Sequence, residues 1–316
     1  MKRAAKLRYG SFLIFRHFTI KIIMINYIAP LSLLFIFLGC DQNWEKKKPI
    51  HTNDNDSPAK FYSNIVKDTF LIFVDLPNEY NQERKYPVVY LLDANLYFDI
   101  IATIIRKYSS VGLAPSVILV GVGYKDFQTM DSLRNRDYTY PTAIASYEMS
   151  TSGGADHFST FIKTELIPII DRKYNTDTTN RVLAGHSLGG YLSMYVLLQN
   201  LLGQSKNFNS YLIASPSIDY NNYWLLHQLK EVAAKERSDK KVKAYITFGG
   251  LEDAENTEDA EIKSVGETTA LLSKLLSEKQ SGYLDYKGET FSNLGHMDTQ
   301  IPTFIKGLRW ALNEDK

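Results

Sequence analysis

Cysteine is all but missing from this 316-residue chain, which has one, Cys40. An intrachain disulfide is therefore excluded, and so are a cysteine metal site and a thiol nucleophile after that position. A thiol-free body is compatible with an oxidising compartment without demanding one. Net charge is also nearly absent: 36 Lys and Arg face 35 Asp and Glu, for a total of +1, which argues against a nucleic-acid partner. Acidic residues are missing entirely from positions 1–39, which carry six Lys or Arg, so the remainder holds 30 basic and 35 acidic residues. A basic, acid-free start is how an export signal is built, not how a folded surface is built. No repeat or low-complexity tract is present. With 44% hydrophobic and 22% charged residues, the chain can bury a substantial core, as one α/β domain.

The basic opening MKRAAKLRYG leads into a mostly apolar stretch interrupted by Arg16, His17 and Lys21. The unbroken part, Ile22 to Leu38, has the length of a long signal core and is short for a stable membrane span. It ends in FLGC. A small residue followed by cysteine after an apolar run resembles a bacterial lipoprotein signal, which implies that Cys40 becomes the lipidated first residue of the mature chain. Met24 is an alternative start, because MINYIAPLSLLFIFLGC is itself a compact signal; an uncleaved membrane anchor is the competing reading. The polar, Pro- and Asn/Asp-punctuated segment that follows reads as a tether. The expected plan is a signal over 1–39, anchor cysteine and tether over 40–60, and a folded domain over 61–316. It implies a cell-envelope lipoprotein, on the periplasmic or the cell-surface face, whose membrane contact is the N-terminal lipid.

Beyond the tether, FYSNIVK and TFLIFVDLP read as an antiparallel pair at a sheet edge. YPVVYLLD, SVILVGVGY, RVLAGHS, SYLIASPS and VKAYITFGG are short, nearly continuous apolar runs, the pattern of strands buried on both faces; GYLDYKGET is a weaker one. Helical patterns fall between them at Asp156–Lys173, Leu188–Leu202, Tyr223–Lys235 and Glu258–Glu278. Alternation of this kind implies βαβ units, hence a mostly parallel, twisted sheet with helices on both faces.

One junction explains itself only through chemistry. RVLAGHSLGGYLSMYVLL runs from strand to helix through Gly-x-Ser-x-Gly, the nucleophile elbow of the α/β-hydrolase fold. Ser187 must sit on a tight, strained turn to project its hydroxyl, and Gly185 and Gly189 are expected to leave room for neighbouring backbone. The helix start aims free N–H groups at the point where negative charge develops. A serine needs a base, and in this fold the chain order is Ser, acid, His. Only His227 and His296 follow Ser187; His227 falls within a helical pattern, whereas His296 falls in the loop after the last strand, where the base belongs. The acid belongs just past VKAYITF, where Glu252 is the first choice and Asp253 the second. Oxyanion donors are expected from the N–H of Leu188 and of Ala94 or Asn95.

The stretches KYPVVYLLDANLYFD, VGVGY, RNRDYTYPT, GGADHFSTFIKTELIPIIDRKYNTDTTNRVLAGHSLGG, IASPS and NLGHM together resemble the esterase family that includes esterase D, ferric enterobactin esterases, feruloyl and acetylxylan esterases and the mycolyltransferases. RNRDYTYP with GGADHF is most similar to the siderophore-esterase branch. The resemblance implies a Ser187–Glu252–His296 triad with oxyanion donors at Asn95 and Leu188, and no metal or organic cofactor. That branch commonly has LLDG where this chain has Ala94, a residue expected to restrict the backbone there. Arg134, Arg136 and Tyr138 are candidate substrate contacts, with an Arg136–Asp137 pair pinning a loop as the structural alternative. The expected function is a serine carboxylester hydrolase acting through an acyl-enzyme, on siderophore or carbohydrate esters. The alternatives are an acyltransferase of the same fold and a non-catalytic ligand-binding lipoprotein.

Overall fold

The apolar runs form strands, and they collect into one sheet. The computed structural model describes residues 58–147, 149–232, 241–255, 263–278 and 283–312. The expected signal over 1–39, Cys40 and the tether as far as residue 57 lie outside the described residues. Strands β1 (Ala59–Ser63), β2 (Asp68–Asp75), β3 (Tyr86–Leu91), β4 (Ile118–Gly123), β5 (Thr176–His186), β6 (Ser210–Ala214), β7 (Val242–Gly249) and β8 (Leu284–Phe291) lie in the order β1-β2-β4-β3-β5-β6-β7-β8. The pairs β1–β2 and β2–β4 are antiparallel and all others parallel. This is the α/β-hydrolase fold. The first described strand starts at Ala59, two residues before the expected start of the domain.

Helices are α1 (Ala94–Ser110), α2 (Phe127–Tyr138), α3 (Ala155–Phe161), α4 (Ile167–Lys173), α5 (Leu188–Leu201), α6 (Tyr220–Glu231), α7 (Glu252–Glu255), α8 (Val265–Ser277) and α9 (Gln300–Leu312). A π-helical turn, Ile162–Leu166, joins α3 to α4. Two cores flank the sheet. One contains Tyr97, Phe98 and Ile101 of α1 with Phe304 and Leu308 of α9; the other takes α5 with side chains from α2, α3, α6 and α8. Helix α5 buries 13 of its 14 residues, as a helix apolar on every side must. Each of its leucines contributes about 1.5–3 kcal/mol by leaving water. Several of the chain's 21 tyrosines pack in these cores: Tyr86, Tyr90, Tyr124, Tyr138, Tyr191 and Tyr211 are fully buried.

The sheet order matters because β3, β5, β6, β7 and β8 are parallel neighbours. Their C-terminal ends share one edge, where ligands bind in open α/β sheets. Along that edge follow Ala94 and Asn95 after β3, Ser187 after β5, Ser215 and Ser217 after β6, Glu252 after β7 and His296 after β8.

Candidate active site

Ser187 occupies a turn at φ 60°, ψ −119°, between β5 and α5. A non-glycine residue held there stores about 1–3 kcal/mol of strain, which the flanking strand and helix impose. A Cβ built on Gly185 would overlap the Gly189 carbonyl, so this glycine is what lets the turn close. Gly189 has a different role from the one expected: a Cβ there would meet the Asp93 carboxylate at 3.1 Å, a side chain and not backbone. The serine is 3% exposed, and its Oγ lies 3.5 Å from Ser217 Oγ.

Two loops carry the acid and the base, and backbone hydrogen bonds zip them together. Gly250 N–H donates to the Phe291 carbonyl at 2.8 Å and Leu251 N–H to the Leu294 carbonyl at 3.0 Å. The result is a direct bond from His296 Nδ1 to Glu252 Oε2 at 3.0 Å. The other carboxylate oxygen, Oε1, accepts from Ser215 Oγ at 2.7 Å and from Gly249 N–H at 2.5 Å. Burial pushes Glu252 up, but the hydrogen bonds and charge of His296, with those from Ser215 and Gly249, outweigh it and hold the carboxyl below its ordinary range. Asp253, the second choice for the acid, accepts instead from Val265 N–H at 2.8 Å. His227 is exposed on α6, away from this network.

His296 is also tied to the elbow itself. Its carbonyl accepts from the Nε2–H of His186, the residue before Ser187, at 2.8 Å, and the two rings lie 4.8 Å apart, centroid to centroid. Ser187 thus sits at the end of a strand whose last side chain touches the residue expected to be its base.

The expected oxyanion donors stand at two helix N-termini. Leu188 opens α5, and Asn95 is the second residue of α1; N–H groups in a first turn lack intrahelical acceptors. The Asn95 side chain bridges to Tyr124, accepting from its N–H at 2.7 Å and donating to its carbonyl at 2.8 Å, which fixes α1 to the end of β4. Ala94 does not restrict this loop as expected. The left-handed residue is Asp93, at φ 53°, and Ala94 is already helical.

The three substrate-contact candidates part company. They lie in α2, not in a loop. Arg134 reaches the elbow: its Nη2 donates to the His186 carbonyl at 3.3 Å, while Nε and Nη2 form a fork on Asp93 at 3.1 and 2.7 Å. Burial pushes the Asp93 carboxyl up and the guanidinium pulls against it. Arg136 instead grips Asp137 at 2.7 Å and Asp68 at 3.0 Å, clamping α2 to the start of β2. The Arg136–Asp137 pair is the structural alternative named from the sequence; Tyr138 is fully buried, its hydroxyl accepting from Asp93 N–H at 3.4 Å. Among the described residues, no group of three or more His, Cys, Asp or Glu side chains could hold a metal ion.

Comparison with known proteins decides what this arrangement belongs to. The family model described as Putative esterase matches residues 63–289. The chain belongs to the esterase family. It is a serine-type carboxylic ester hydrolase. It is 30% identical over 260 residues to the ferri-bacillibactin esterase BesA of Bacillus subtilis, covering 78% of this chain and 86% of that one. The structure of the BES protein from Bacillus cereus aligns with a TM-score of 0.67 at 26% identity, over 81% of this chain and 94% of that chain. The enterobactin hydrolase IroE in complex with DFP aligns with a TM-score of 0.61 at 26% identity, again over 81% and 94%. Sequence reasoning overlooked Asp93, His186 and Ser215. Asp93 and His186 were signalled only by where they stand, as the last polar residue of a buried run and as the variable residue of Gly-x-Ser-x-Gly.

Proposed function

We propose that this esterase hydrolyses siderophore esters through an acyl-enzyme on Ser187, with His296 as general base and Glu252 as its orienting acid. The observation that carries the reading is the Glu252–His296 pair, whose histidine is bonded to His186, the residue before a strained strand-to-helix serine. Glu252 keeps the imidazole proton on Nδ1, so Nε2 is the atom available to take the Ser187 proton. The freed oxygen attacks the ester carbonyl. Charge on the tetrahedral oxygen falls to the Leu188 and Asn95 N–H groups. His296 then returns its proton to the departing alcohol, and water, deprotonated by the same imidazole, releases the acyl group and restores Ser187.

The siderophore reading is supported by what two of the relatives above are named for, ferri-bacillibactin and enterobactin. The test sets a trilactone siderophore beside acetylated xylan, a feruloyl ester and p-nitrophenyl acetate. Preference for the trilactone, with all turnover and fluorophosphonate labelling lost in Ser187→Ala, is the expected outcome. Turnover persisting in that variant removes the mechanism, and preference for a carbohydrate ester removes the substrate. We further infer a lipid anchor at Cys40 and a cell-envelope location. Radiolabelled palmitate should enter the wild-type chain and not Cys40→Ser; equal labelling of both overturns the inference.

A further inference from the structure

We propose that His186 is a positioning residue that holds the loop bearing the general base against the nucleophile. This rests on the reading of His296 as that base. His186 is the last residue of β5 and 2% exposed, so its ring is set by the sheet and not by a loop. Both ring nitrogens are engaged: Nε2 meets the His296 carbonyl at 2.8 Å and Nδ1 meets the Tyr97 hydroxyl at 3.1 Å. Burial, with the nearby charges of His296 and Arg134, keeps the imidazole well below its ordinary value and therefore neutral. A neutral imidazole has one N–H. The carbonyl can only accept, so that proton sits on Nε2, and Tyr97 O–H must donate to Nδ1. A single tautomer satisfies both contacts.

His296 is then held through both its ring and its backbone. Glu252 fixes the ring through Nδ1, and the carbonyl accepts from His186 Nε2–H at 2.8 Å and from the Thr299 hydroxyl at 3.3 Å. Glu252 orients the imidazole, and Ser215 ties both Glu252 and Thr299 to the end of β6; the His186 bond is the one that ties the base loop to β5, the strand that ends at the nucleophile. Because His186 precedes Ser187 directly, the brace measures its reach from the nucleophile itself. Tyr97 belongs to α1, the helix that presents Asn95, so the oxyanion side shares the same tie.

The test compares His186→Gln with His186→Met, side chains of nearly equal length. Gln retains a donor for the His296 carbonyl and an acceptor for Tyr97; Met retains neither. The Met variant is expected to lose roughly 10- to 100-fold in kcat with KM little changed, the scale of a misplaced reacting group, and to slow fluorophosphonate labelling of Ser187 in proportion. The Gln variant should recover most of both rates. Equal rates in the two variants, with melting temperatures matching wild type, overturn the proposal. Should both fail to fold, Tyr97→Phe takes their place: a drop in kcat at constant KM supports the brace, and an unchanged kcat overturns it. Loss of turnover in His296→Ala beside a fully active Met variant removes the brace alone. Full turnover in His296→Ala removes the base and the brace together.

Discussion

Replacing Glu252 by Gln exchanges one carboxylate oxygen for an NH2 group, and the surrounding hydrogen bonds decide which. Oε1 accepts from Gly249 N–H and from the Ser215 hydroxyl; Oε2 accepts from His296 Nδ1. The hydroxyl can rotate to accept, but the backbone N–H cannot. Facing the NH2 group toward Gly249 would bury two opposed donors, at a cost of about 1–3 kcal/mol. Facing it toward His296 costs only a change of tautomer. The amide oxygen therefore takes the Gly249 side, and the NH2 group donates to Nδ1 of His296. The imidazole proton moves to Nε2, the atom that should receive the Ser187 proton. A base holding its proton at that position cannot act, and the loss expected is about 10⁴-fold in kcat, or roughly 5 kcal/mol of transition-state stabilisation. The assay is p-nitrophenyl ester hydrolysis followed by absorbance, with the far-ultraviolet spectrum as a check on folding. Asp253→Asn is the control and should stay near wild type, because Asp253 bonds Val265 N–H and not the histidine. A folded Glu252→Gln enzyme within tenfold of wild type would refute the tautomer argument.

Other consequences concern stability. Gly185→Ala puts a methyl group into the Gly189 carbonyl, and overpacking against backbone should cost about 1–3 kcal/mol and most of the activity; urea unfolding reads the first and ester turnover the second. Arg134→Met leaves Asp93, 1% exposed, buried without its partner, for a loss of about 3–5 kcal/mol, and the double variant with Asp93→Asn should recover part of it. Acid should weaken the fold in two windows. His186 is buried neutral, whereas the unfolded chain takes up its proton below about pH 6.5, so stability falls there by at most about 1.4 kcal/mol per pH unit, and His186→Gln should flatten that fall in calorimetry. Glu252, held below its ordinary value, contributes stability that is intact above about pH 4.3 and lost as pH falls further; Glu252→Gln should remove that second decline.

What could be read from the residues follows from how local each signal is. The buried strands were legible because a strand covered on both faces is a short apolar run, and β4 and β6 are buried at every position. The elbow was legible because a strained serine needs a glycine within two residues of it. Helix α1 was not, although its buried positions Tyr97, Phe98, Ile101, Ala102 and Ile105 follow a helical period; exposed Leu96 and Ile100 blur the stripe. Helix α2 buries only Met130, Asp137 and Tyr138, too few to show a period, so RNRDY reads as loop. One partner of its arginines was visible, Asp137 beside Arg136, but the distant ones were not: Asp68 lies 68 residues from Arg136, and Asp93 lies 41 from Arg134. The contact between His186 and His296 spans 110 residues. It arises because β6 and β7 separate the elbow strand from β8, while the loops after β7 and β8 fold back along the same edge. Chain order names the nucleophile, acid and base; sheet order decides which neighbour of the nucleophile is close enough to hold the base still.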